Sequence, residues 1–266
     1  MKKGKKRWDG DEILLSPYQK MEAHFISDRV EATVYHRLVL DLSKTNQALK
    51  DYNLSLFTYT IMCMIKTMKK YPEMNRFVMN HRLYARNHMA ISTVIKQRLT
   101  TEGKSIVVKE EINPDTTIFE LNEQIKTVIF ALKQSDESAN ADKLIEFFGK
   151  LPHWIIQWIL SIATVLNHIN LLPKSIAQDD PLHASVMFAN LGSIDLAAPF
   201  HHLYRWGTIS VFVVLGKVNK TNQTVECTFS VDERIADGYL LSRALLYFQH
   251  LMEQPNKVIS IDSPLE

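Results

Sequence analysis

The stretch TISVFVVLGKV (208–218) is apolar on both of the faces that a β-strand presents, so a sheet containing it must be covered on both sides. SVMFAN (185–190) reads the same way, and QTVECTFSVD (223–232) supplies a third strand close by. Upstream, residues 30–43 alternate through Val34, His36, Leu38 and Leu40, residues 106–112 read as another strand, and 77–98 reads as a hairpin. Its turn material is Asn80-His81 or Arg86-Asn87-His88. Helical patterns lie between these strands. Lys44 to Asn53 suits a short helix, and Ser55 to Tyr71 carries the apolar run LFTYTIMCMIKTMKK, stopped by Pro72. Thr117 to Lys133 places Ile118, Leu121, Ile125 and Ile129 on one face, with Asp115 or Thr116 as N-cap. A closing helix, Tyr239 to Gln254, follows Asp237-Gly238. This interspersion predicts an α/β fold, a sheet layered with helices.

A chain of 266 residues suffices to bury a large core, and it is read as one domain over 1–266. With 46% apolar residues, 23% charged residues and a net charge of +2, it has no electrostatic signature of a nucleic-acid partner. The basic run Lys2, Lys3, Lys5, Lys6 and Arg7 reads as a solvated, flexible terminus over about residues 1–12. Cys63 and Cys227 lie far apart in apolar surroundings, with no zinc-type spacing, which suits a reducing, cytoplasmic compartment. No signal peptide is visible, because the basic start runs into Trp8-Asp9-Gly10-Asp11. Asp136 to Asp142 is polar and reads as a loop.

Between Pro152 and Pro173 runs a segment without formal charge that is long enough to span a bilayer. His153, Gln157, Ser161, Thr164, Asn167, His168 and Asn170 are costly in lipid. Trp154, Trp158, Ile162, Val165 and Ile169 recur at helical spacing. The expectation is a buried or partner-facing amphipathic helix with the tryptophans as packing residues. Interfacial membrane contact through 153–172 is the alternative.

Phosphate-binding loops, dinucleotide fingerprints, HExxH and GxSxG are all absent. The adjacent His201 and His202 point to opposite faces if extended and cannot chelate one ion, so no metal site is expected. The informative segment is FSVDERIADGYLLSRALLYFQHLMEQP (229–255): a strand, a turn ending Asp237-Gly238, and a helix ending at Glu253-Gln254-Pro255. It resembles the signature of the chloramphenicol acetyltransferase and 2-oxo acid dehydrogenase acyltransferase superfamily, Asp-His-Arg-x-x-Asp-Gly in the dehydrogenase version. Arg234, Asp237 and Gly238 match it, and Glu233 stands where the histidine is expected. KKYPEMNRF (69–77), SIVVKEEINPDTTIFELNEQIKTV (105–128), FANLGSI (188–194) and SVFVVLGKV (210–218) resemble further family segments in the same order. The likeness covers about residues 30–255, with a helical insertion at about 145–180.

The resemblance implies a two-layer mixed β-sheet sandwiched with helices, assembled as a homotrimer. It implies active sites between subunits, coenzyme A or acyl-CoA as co-substrate, a small-molecule acceptor and no metal. It also implies roles. The family's histidine is a general base, placing Glu233 in that role, with Asp237 orienting the site. Asn190, Ser193, Ser185 and Gly238 fall where coenzyme A is held. A carboxylate, ordinarily near about 4.3, is a weak base toward a thiol near about 8.5 unless burial raises it. The hydroxyl that steadies the family's oxyanion is replaced by Ala189, and such a loss costs about 100–1000-fold in rate. His201 and His202, in PFHHLYRWG (199–207), are candidates to compensate. Two readings follow: an acyl-CoA-dependent acyltransferase with altered catalytic residues, or a catalytically inactive trimeric coenzyme A-binding or scaffold protein.

Overall fold

The computed structural model describes residues 4–26, 28–96, 105–134 and 149–259. In chain order its strands are β1 (Lys6–Arg7), β2 (Gly10–Ile13), β3 (Thr33–Asp41), β4 (Arg76–Met79) and β5 (Arg82–Arg86). There follow β6 (Ala90–Lys96), β7 (Ser105–Glu111), β8 (Val186–Asn190), β9 (Val211–Asn219) and β10 (Thr224–Asp232). The helices are α1 (Pro17–Phe25), α2 (Thr45–Asp51), α3 (Leu56–Lys70) and α4 (Ile118–Gln134), then α5 (His153–His168), α6 (Lys174–Asp179) and α7 (Gly238–Glu253). The expected loop Asp136 to Asp142 and the first residues of the 145–180 insertion lie outside the described residues.

The main sheet runs β3-β10-β9-β8-β6-β7, parallel where β8 meets β6 and β9 and antiparallel elsewhere. Its doubly apolar strands are covered on both sides, as their pattern requires. Val211, Val213, Leu215, Phe229 and Val231 share one core with Ile61 and Ile65 of α3 and Leu241 and Phe248 of α7. Met187, Ala189, Phe212 and Val214 meet Ala198, Leu203 and Ile209 on the other face. The result is a mixed α/β sandwich.

Local chemistry sets the boundaries. The Ser55 hydroxyl accepts from the Thr58 N–H at 2.9 Å to start α3, and Pro72 ends it. At α4 the cap is Thr117 rather than Asp115 or Thr116. The Thr117 hydroxyl accepts from Glu120 N–H at 3.2 Å while the Glu120 carboxylate accepts from Thr117 N–H at 2.8 Å, a reciprocal capping box. The 77–98 hairpin is shorter than expected. Asn80 and His81, both at positive φ, join β4 to β5, and β6 crosses into the main sheet.

Two expectations are corrected. The basic start is not a free terminus over residues 4–13. β1 and β2 pair with each other and extend a second, four-stranded sheet, β1-β2-β5-β4, and Arg7 is buried. Helix α5 is not buried within its own chain, which leaves the partner-facing half of the expectation: Asn167 is its one buried residue, and Trp154, Trp158, Ile162, Val165 and Ile169 are all exposed.

Candidate active site

Where β10 ends, Asp232 is fully buried and faces two guanidinium groups. Arg234 grips it as a fork, Nε to Oδ1 and Nη2 to Oδ2, both at 2.8 Å. Arg29 Nε stands 3.5 Å from Oδ2. Arg29 itself donates to the Tyr204, Gly207 and Val78 carbonyls at 3.0–3.1 Å. Burial pushes this guanidinium below its ordinary range, and Asp232 opposes the shift. A buried charge held this way is costly to strip of a partner, so the turn that follows is rigidly placed.

That turn is a single 3₁₀ turn, Glu233–Ile235. Glu233 donates its N–H to the Ala32 carbonyl at 3.0 Å, while its side chain is exposed and has no polar partner among the described residues. Asp237 caps α7, its Oδ1 accepting from Leu240 N–H at 2.8 Å. Arg29 and Arg234, the arginines beside this turn, pair with Asp232 rather than with Asp237. Gly238 opens α7 with free space where a Cβ would stand.

Glu233, Asp237 and Gly238 line a cleft of about 1030 Å³ between α1, β3 and α7. Its apolar wall includes Leu15, Val34, Leu38, Leu241 and Leu245, and its polar groups include His36, His81, Arg76 and Arg82. Two of these arginines are already satisfied, Arg82 by Glu12 and Arg76 by Glu73, each at 3.1 Å.

The remaining signature residues lie at the far end of the sheet. Asn190 is in register with Leu215, which pairs with Cys227, six residues before Glu233. At about 3.3 Å per residue that is about 20 Å along the strand, before the sideways step across two strands. The loop after β8 is held close to β9, since a Cβ on Gly192 would meet the Gly216 carbonyl oxygen at 2.5 Å. Ser193 is exposed, its hydroxyl donating to the Asn190 carbonyl at 2.7 Å. Ala189 is buried in β8.

No family model matches this sequence, and no curated protein matches it. Solved structures do. Chloramphenicol acetyltransferase aligns at 11% identity over 91% of this chain and 99% of its own, with a TM-score of 0.60. A probable dihydrolipoamide acetyltransferase from Listeria monocytogenes aligns at 14% identity over 96% of this chain and 98% of its own, TM-score 0.56. A truncated catalytic core of the 2-oxoacid dehydrogenase multienzyme complex from Thermoplasma acidophilum aligns at 15% over 92% and 100%, TM-score 0.53. The chain has the chloramphenicol acetyltransferase fold.

Within this acetyltransferase fold the predicted site residues fall into three groups. Glu233, Asp237 and Gly238 come together at the cleft, and Asn190 and Ser193 sit at the distant loop. Ser185 is buried and already engaged, accepting from Ala90 N–H at 3.0 Å, which removes it from any accessible site. His201 and His202 are not brought to Glu233. The His201 ring stacks on Phe212 at 4.0 Å, and Ser230 donates to its carbonyl, on the face of the sheet opposite α7. Burial lowers the His201 pKa. His36 and His81 are the imidazoles that do line the cleft. The sequence reading singled out neither Arg29, which carries no local signal, nor Asp232, which the first position of the Asp-His-Arg-x-x-Asp-Gly pattern could have marked. Among the described residues no cluster of three or more His, Cys, Asp or Glu side chains is arranged to hold a metal ion.

Proposed function

We propose that this protein is an acyltransferase that passes an acyl group from acyl-CoA to a small acceptor, with Glu233 as its base. The observation that carries the reading is the Asp232–Asp237 turn, which in an acetyltransferase fold sets an exposed Glu233, without a polar partner among the described residues, in the lining of a large cleft. Glu233 is exposed in the single chain, and it acts as the base once a second copy closes over the cleft and withdraws it from water: the carboxylate then takes the proton from an acceptor thiol or hydroxyl as the S or O atom bonds to the thioester carbon. Carbonyl electrons move onto oxygen. When they return, the carbon–sulfur bond breaks, and the coenzyme A thiolate recovers the proton from Glu233.

The site is completed between copies of the chain, in a homotrimer. Glu233 and the Asn190–Ser193 loop are about 20 Å apart along one sheet, too far to hold the same reacting group. A second copy brings its loop to the cleft, with Asn190, Ser193 and Gly238 contacting coenzyme A, and Asp237 positions the turn. The solved relatives support the class, two of them being named as acetyltransferases.

Ala189 favours the second reading, a coenzyme A-binding scaffold without turnover, because it cannot donate to an oxyanion. Coenzyme A release from acetyl-CoA, assayed with thiol, amine and hydroxyl acceptors, separates the two. Turnover that falls at least about 100-fold in Glu233→Gln establishes the carboxylate base. A silent wild type that gains turnover in Glu233→His establishes the scaffold.

A further inference from the structure

Among the helices, α1 alone buries none of its described side chains, and of these only Ala23 is half-buried. Tyr18, Met21 and Phe25 recur at helical spacing along its outer side and are 78%, 60% and 75% exposed. Its inner side, with Gln19 and Ala23, faces the Glu233 cleft rather than a core. At nine residues α1 is shorter than the roughly 12–15 at which an isolated helix is even marginal in water. Without a packed face, its conformation depends on its ends and on what touches it from the side.

Both ends are fixed. Before α1, β2 pairs with β5 as far as Ile13, and Leu15 packs against the main core. After it, Arg234 Nη1 donates to the Ile26 carbonyl at 3.3 Å, Asp28 pairs with Arg205 at 3.0 Å, and Arg29 is buried. From the side, the contact is His81 of the β4–β5 turn. Its Nδ1 donates to the Ala23 carbonyl at 2.8 Å, and its ring stacks on His24 at 4.5 Å between centroids. His81 has φ 58°, in the left-handed region that a side chain enters at a cost, so the turn holds it there against a local preference. Freeing α1 gives up one hydrogen bond and one ring contact, whereas moving α3 or α7 would uncover the main core.

From this arrangement we propose that residues 17–26 form a gate on the Glu233 cleft, with His81 as its latch. The helix pivots between Leu15 and Asp28 and leaves the cleft wall when the His81–Ala23 bond opens. Opening widens access to the apolar lining at Val34 and Leu38. The gate deepens the acyltransferase reading by naming what controls entry to its site, and it rests on that reading for the identity of what enters.

The test is hydrogen exchange on the full chain, paired with labelling of Val34→Cys by fluorescein maleimide. The native thiols do not compete, because Cys63 and Cys227 are both fully buried. The amides of α1 should exchange at least about 100-fold faster than those of β3. His81→Asn shortens the side chain out of reach of Ala23, while asparagine accepts the positive φ of the turn. It should speed both α1 exchange and labelling at position 34 about tenfold, with β2 and β3 unchanged. An α1 as well protected as β3 overturns the proposal, because a second copy or another cover then holds the helix in place. Faster exchange in His81→Asn without faster labelling overturns it too, since the helix then moves without controlling entry. Unchanged exchange overturns it by removing the latch. Neither readout requires acyl transfer, so a silent acyltransferase assay leaves the gate standing, and a failed gate leaves that assay's answer intact.

Discussion

Helices α3 and α5 are nearly equal in length and both are dominated by apolar residues, LFTYTIMCMIKTMKK against HWIIQWILSIATVLNH. Helix α3 carries three lysines and α5 carries none, yet α3 buries ten of its residues and α5 only Asn167. Apolarity creates a demand for cover, but position in the fold decides whether the chain itself supplies it. Helix α3 lies against the main sheet and α7 in one continuous core. In the folded chain one face of that sheet is taken by α3 and α7 and the other is closed by the segment around Ala198, Leu203 and Ile209. What remains for α5 is attachment by its last turn, where Arg7 donates to the Asn167 carbonyl and side-chain oxygens at 2.7 and 3.1 Å.

Removing that attachment is the strongest way to break the contrast. Arg7→Leu strands Asp9, which is fully buried, and should cost about 3–5 kcal/mol in urea unfolding. Hydrogen exchange should rise across 153–168 while α3 stays protected; equal loss in both helices would mean that they form one cooperative unit. A matched pair of truncations sharpens the contrast next. Ile65→Ala in α3 should cost about 2–5 kcal/mol, and Ile162→Ala in α5 should stay within about 0.5 kcal/mol. The smallest effect is pH-dependent. Partial desolvation at the base of α5, reinforced by His81, Arg7 and Arg29, lowers the His168 pKa below its ordinary value near 6.5. The unfolded chain therefore takes up that proton first, so stability is full above about 6.5 and declines as pH falls below it. His168→Gln should flatten this decline in urea midpoints measured across that range.

Most of the elements were legible. The Ser55 cap, the Pro72 stop and the face formed by Ile118, Leu121 and Ile125 are local signals, and the helices follow them. The doubly apolar 208–218 stretch announced a central strand, and β9 sits inside the main sheet. The grouping of Glu233, Asp237 and Gly238 at one cleft was legible, because they lie within a few residues of one another and share one turn. It was not legible where distant segments meet. Arg29 reaches Asp232 across about two hundred residues of chain, and nothing around Arg29 in the sequence announces it. Ser185 carries a hydroxyl in a strand near the signature, yet pairing with Ala90 consumes it.

The sequence by itself determined the alternation of strands and helices, the need to cover the main sheet on both faces, and the grouping of Glu233, Asp237 and Gly238 on one short turn. These depend on side-chain spacing and residue type, which are properties of short stretches. Only the tertiary structure decided that Arg7 leaves solvent for a buried pair with Asp9, that the His201 ring lies on the opposite side of the sheet from Glu233, and that α5 stands uncovered. The physical reason is the same in each case: burial and pairing depend on what the rest of the chain brings alongside, and strand order sets that over separations no local pattern encodes.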